Sequence, residues 1–227
     1  MVGHFLLRLF TAAFLAAASF TYSAYAASAP VDLDEGIRSL QNEWALIQYK
    51  TPEKRRAARF ETLSQRAHEL TARHTARAEP HIWEGIILGS WAGAKGGLGA
   101  LSLAKRSKAE YETAIQIDSM ALDGSALSSL GVLYYRVPGW PVGFGDNKKA
   151  EALLLQALAV NPDGIDSNFF YADFLVSRNR EKEALQYVEK ALKAPPRPGR
   201  KVADEGRRDE AQLLLKRIQS KADAPSQ

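Results

Sequence analysis

"AEALLLQALAVNP", residues 150–162, is answered further along by "KEALQYVEKALKAPP", residues 182–196. Ala150, Ala157, Leu158 and Pro162 recur at the same offsets as Ala184, Ala191, Leu192 and Pro196. "AEYETAIQIDS", residues 109–119, is a third copy, with Tyr111, Ala114 and Ile115 in register and Ser119 in place of the proline. Self-similarity of this kind marks a chain built from stacked supersecondary units. Ahead of each copy stands a second amphipathic segment: "GIILGSW" (85–91), "LSSLGVLYY" (127–135) and "SNFFYADFL" (167–175). Gly89, Gly131 and Ala172 hold equivalent places in these segments. Small residues there let two helices cross closely, since a bulky side chain at the crossing would force them apart. The pattern predicts an all-α protein.

Paired helices with small residues at these offsets resemble the tetratricopeptide repeat, over about Pro80 to Pro196. The resemblance implies an α-solenoid of antiparallel helix pairs, three units over residues 80–196. Residues 27–79 then form a degenerate first pair, Asp34 to Lys50 and Glu53 to Ala76, and residues 197–227 a capping helix over Asp204 to Ser220 with a frayed tail. A cap is needed because a terminal repeat otherwise exposes half a core. By exported location and size the chain also resembles, more loosely, the T-component of TRAP-type transporters, a helical partner of a substrate-binding protein.

One stretch interrupts the helices. "RVPGWPVGFGDNKKAE", residues 136–151, holds two prolines that no helix interior accepts. Ala172 to Ala184 spans 12 residues, whereas Gly131 to Ala150 spans 19, so the second unit carries a seven-residue insertion between its helices. "GAKGGLGAL", residues 93–101, reads as a comparable enlarged loop in the first unit. Insertions on one side of a solenoid often mark a binding side. Trp140 and Phe144 within the insertion either fold back as a plug or wait for a partner as a rim. The expectation is a plug for Phe144 and a rim for Trp140.

In the tetratricopeptide family, four positions of each first helix line an inner groove. Carried over, they are Trp83, Ile86 and Ser90; then Ser125, Ser128, Val132 and Tyr135; then Asp166, Phe169, Asp173 and Val176. With Arg136, Trp140 and Phe144 at the rim, these form the expected binding surface. Phe170, Tyr171 and Phe174 read as core. The implied occupant is a peptide, a protein partner or a small apolar ligand.

Other chemistry is thinly supported. His68, His74 and His81 lack the spacing of a helical metal pair, and they read as partly exposed polar positions. There is no GxSxG elbow and no cysteine. The pairs Asp204–Glu205 and Asp209–Glu210 sit among arginines and read as solvated helix charges. "GGLGALS" lacks both the strand and the last glycine of a dinucleotide fingerprint. No enzyme activity, metal or cofactor is expected.

The first 26 residues have the form of a signal peptide: Arg8 near the start, the apolar run "LFTAAFLAAASF", then "AYA" before a cleavage site at Ala26. An uncleaved anchor is the alternative. Without a cysteine no lipid anchor can be attached there, and the expected location is the periplasm. The processed chain would hold 29 basic and 26 acidic side chains, too even a balance for a nucleic-acid footprint. The rival to a binding protein is a self-associating structural subunit of an envelope assembly.

Overall fold

The computed structural model describes residues 32–222, within which every regular element is a helix. The signal-peptide expectation and the tail from Asp223 lie outside these residues. In chain order the helices are α1 (Leu33–Lys50), α2 (Glu53–Arg73), α3 (Ala78–Lys95), α4 (Gly97–Asp118) and α5 (Ala121–Arg136). They continue as α6 (Asn147–Val160), α7 (Ile165–Ser177), α8 (Glu181–Lys193) and α9 (Lys201–Ala222). Short links fold α1–α2, α3–α4, α5–α6 and α7–α8 into antiparallel hairpins, each packed along its length.

The repeated small residues sit where the helices cross. Ala150, Ala157, Ala172, Ala184 and Ala191 are all buried. A Cβ on Gly131 would lie 2.8 Å from Leu154 Cγ and 3.2 Å from the Ala150 carbonyl. Gly131→Leu should therefore cost about 1–3 kcal/mol through overpacking. Ser128, expected to face a groove, is instead buried, its hydroxyl donating to the Ser125 carbonyl at 3.1 Å. Ser128→Leu should then cost a similar amount, and a urea midpoint that it leaves in place would put Ser128 back on an open face.

The first unit has no enlarged loop. Gly96 alone separates α3 from α4, and Gly96 and Gly97 both take positive φ (61° and 60°), a reversal that glycine accepts without strain. The residues read as an insertion lengthen the two helices instead, α3 to 18 residues and α4 to 22. The second unit does carry its insertion as a loop, residues 137–146, closed by Gly145 N–H to Pro138 O (2.9 Å) and Asp146 N–H to Tyr134 O (2.9 Å). The Asp146 carboxylate then caps α6 by accepting from the Lys148 and Lys149 amides.

The odd-numbered helices form an inner layer in which α1 touches α3, α3 touches α5, α5 touches α7 and α7 touches α9. In an open solenoid the series would end there, because units contact only their neighbours. Here α9 packs on α8 and α7 and also on α1, so the five inner helices close into a ring. The outer helices α2, α4, α6 and α8 each wedge between two inner ones and, among the described residues, make no packed contact with each other.

Two sets of contacts at the seam show why closure works. Gly206 of α9 lies flat against the Tyr49 ring of α1, with no room for a Cβ. Trp44 and Trp83 meet edge to face at 6.0 Å, and the Arg200 guanidinium stacks 5.1 Å above Trp83. Aromatic edges and a guanidinium on a ring face are attractive geometries.

Candidate functional site, a cavity in the helix ring

Since every hairpin is antiparallel, all five inner helices run the same way. Their C-terminal ends, and the four turns that lead to the outer helices, share one end of the ring. Lys221, at the end of α9, confirms it, reaching Glu181 at the start of α8 (2.5 Å). The bore of the ring holds a cavity of about 740 Å³ to which all five inner helices contribute. Its walls include Trp44 and Tyr49 (α1), Ile86 and Ser90 (α3), Val132 and Leu133 (α5), Phe170 (α7) and Arg207 (α9). Gln48, Glu53, Arg56, Gly97, Pro138 and Val142 also line it, and all lie in or beside the turns. The cavity therefore opens at the turn end.

Small residues make the space. Gly89, Ala92, Gly93, Ala94, Gly97, Ala100 and Ala104 line the α3–α4 wall, and a Cβ on Gly93 would meet nothing within 4 Å. Polar groups are few and mostly engaged. The Trp44 indole donates to Ser90 Oγ at 2.8 Å, and the Ser90 hydroxyl donates to the Ile86 carbonyl at 2.8 Å. Tyr49 O–H reaches toward Glu210 at 3.4 Å, and Arg56 Nε donates to the Thr51 carbonyl at 2.9 Å. Burial pushes the Tyr49 phenol well above its usual range.

Of the expected binding residues, Ile86, Ser90, Val132 and Arg136 line this cavity. Trp83 does not; it is buried between α1 and α3 under Arg200, and its indole N–H meets no acceptor among the described residues. Phe169 is buried, and its neighbour Phe170 lines the bore instead, just as Ser129 takes the place expected for Ser128. On α7 the shift has a physical cause: α9 covers the face that an open groove would present.

Asp166 and Asp173 are engaged in internal pairs. Asp166 accepts from Arg197 and Arg207, at 2.7 Å each. Asp173 accepts from Tyr135 O–H at 2.5 Å and from Arg136, tying α5 to α7. Burial, and then the Asp173 carboxylate, push the Tyr135 phenol upward. The two rings of the insertion divide. Phe144 is half-buried, edge-on to Tyr134 at 5.8 Å with the Lys108 ammonium 5.9 Å from its ring, whereas Trp140 is 89% exposed.

Two further readings are corrected. Asp204 is buried, holding Arg197 through both carboxylate oxygens, so it is no solvated helix charge. His81 is buried rather than partly exposed, with Nδ1 2.6 Å from Glu110 and Nε2 3.1 Å from the Thr75 carbonyl. Among the described residues no cluster of three His, Cys, Asp or Glu could hold a metal ion. Trp44, Tyr49, Arg207 and Glu210 are lining residues that sequence reasoning missed. Their only local signal was an aromatic pair on α1, whose unit read as degenerate. Compared with protein-family models and with curated proteins, the chain matches none.

Proposed function

We propose that the chain is an exported, TPR-like binding protein without catalytic activity, which takes a small apolar ligand end-on into the bore of its helix ring. The observation that carries this reading is the cavity itself. Its volume of about 740 Å³ falls in the range of small-molecule sites, roughly 300–1,000 Å³, and is too small for a folded partner. Walls of Trp, Phe, Ile, Val, Leu and small residues, with most polar groups already satisfied, favour an apolar body over a charged one. A peptide or protein surface would meet only the rim. The looser transporter likeness fits the same reading, with the ligand handed to a substrate-binding protein.

Gly93→Phe tests it. The new ring has open space in which to lie, and phenylalanine is a better helix former than glycine by roughly 0.3–0.5 kcal/mol. The variant should melt at or slightly above the wild-type temperature. It should also bind an apolar fluorescent probe at least about tenfold more weakly, and yield less co-purified lipophilic ligand by mass spectrometry. A variant that binds the probe as well as the wild type, with its stability intact, would place the site elsewhere.

A further inference from the structure

The end of the ring at which the cavity opens carries a charge that the rest of the molecule does not. Consider, for each inner helix, its last four residues together with the turn and the first four residues of the helix that follows. Among the described residues these stretches hold twelve Lys or Arg against four Asp or Glu, a formal +8. The corresponding stretches at the opposite end, with Asp32 included, hold seven against nine, a formal −2. A fairly even chain is thus strongly polarised along the ring axis.

Helix electrostatics does not account for this. Basic residues at the C-terminal ends of α1, α3 and α5 (Lys50, Lys95 and Arg136) complement the helix dipole. The outer helices begin at the same end, however, and their first turns favour acids. α8 follows that preference with Glu181 and Glu183, but α2 places Lys54, Arg55 and Arg56 beside its one acid, Glu53, and α6 places Lys148 and Lys149 with no acid. Internal pairing does not account for it either. Arg136, Arg180 and Lys221 are held by carboxylates, but Lys50, Lys54, Arg55, Lys148, Arg178 and Lys182 are exposed and form no ion pair among the described residues.

The same end presents the most exposed aromatic ring described. Trp140 is 89% exposed and Val142 beside it 66%. The loop beneath them is tied down by Phe144 against Tyr134 and by the hydrogen bonds of Gly143 and Gly145 to Gly139 and Pro138. A fixed base holding an indole clear of the protein is the form of an interfacial anchor, because tryptophan favours the headgroup level of a bilayer.

We propose that the turn end of the ring is a docking face for an anionic lipid bilayer, with Trp140 inserted at the headgroup level and the surrounding lysines and arginines held by lipid charge. The unpaired cations are spread over three of the four turns on flexible stems, which suits a diffuse surface potential better than the fixed carboxylates of one protein partner. No described helix is long and apolar enough to cross a membrane, so the contact is peripheral. Docking does not rest on the cavity reading. If both hold, the mouth faces the bilayer and an apolar ligand enters without crossing water.

The test is co-sedimentation of the processed chain with phosphatidylcholine vesicles, alone or with about a third phosphatidylglycerol. Binding should appear only with the anionic lipid and fade as salt rises. The double change Lys54→Glu with Arg55→Glu should weaken it at least about thirtyfold, since each cation near the surface contributes about a fivefold factor. Arg73→Glu with Arg77→Glu, at the opposite end, should leave binding unchanged. Trp140→Ala should lower affinity about tenfold and abolish fluorescence quenching by brominated lipid, while melting stays the same. Absence of binding to anionic vesicles, equal binding to neutral ones, or equal loss from both charge pairs would overturn the proposal. So would an acidic protein that binds this face while vesicles do not.

Discussion

Gly206→Leu is expected to cost about 3 kcal/mol and to open the ring between α1 and α9. Gly206 packs against the body of the Tyr49 ring rather than a flexible tip, so no small rotation makes room for a side chain. Tyr49 is itself confined, edge-on to Trp44 at 5.8 Å, and Trp44 is fixed by Trp83 and Ser90. Turning Tyr49 into the cavity would give up its contacts with Trp44 and Glu210, so the expected response is for α9 to leave α1 while keeping its contacts with α7 and α8. Two measurements separate this from general loosening. The urea midpoint should fall, and the distance between labels on α1 and α9 should lengthen, while labels on α7 and α8 keep theirs. A closed ring of unchanged stability would show that the glycine is not needed for the seam. Opening the seam should also drain the cavity of its ligand affinity, because α1 and α9 supply two of its five walls.

Closure is what the sequence hid, and the reason is physical. Pairing within a repeat leaves a periodic signature, since the same alanines must face the same crossings; hence the helical hairpins were legible from Ala150, Ala157, Ala184 and Ala191. The contact between the first and last inner helices has no such period. Gly206 stands in "ADEGRRDE", a run that reads as a solvated face because two of its buried members, Asp204 and Arg207, are charged and satisfied only through the fold. The groove positions were misplaced for the same reason. They were carried over for an open inner face, and α9 takes part of that face, so Phe169 is covered and Phe170 turns to the bore. Cavity walls that depend on α1 and α9, namely Trp44, Tyr49, Arg207 and Glu210, could not be assigned without knowing that the ends meet. The glycine-rich stretch 93–101 was equally ambiguous. Glycines can build a wide loop or a one-residue reversal, and the choice here rests on helix packing rather than on composition.

The charge cluster under α9 should give the other large effect. The Arg207 side chain is 10% exposed, its guanidinium lies over the rings of Phe169 (4.6 Å) and Phe170 (4.4 Å), and it donates to Asp166 at 2.7 Å and Glu210 at 2.5 Å. Arg207→Met keeps the length and apolar stem but leaves two carboxylates short of a partner. It should cost about 3 kcal/mol, the lower end for breaking a buried pair, because Arg197 still holds Asp166. Asp166→Asn should cost less, about 2 kcal/mol, since Asp166 keeps about a third of its side chain in solvent. The acid limb gives an independent check. Burial alone would raise the Asp166 pKa, but the guanidiniums of Arg207 and Arg197 outweigh it and hold the carboxyl well below the usual carboxylate range. A carboxyl depressed on folding contributes stability that is fully present above its unfolded pKa, about 4, and is lost as pH falls through the folded value. Wild type should therefore lose stability more steeply than Asp166→Asn below about pH 4, and the gap between them should narrow as acid is added. In a double-mutant cycle at neutral pH, Arg207→Met and Asp166→Asn should cost less together than the sum of their separate effects, because each removes the other's partner. Strict additivity, with parallel acid limbs, would mean that the pair does not hold α9 to α7 and that contact with the two phenylalanines alone does.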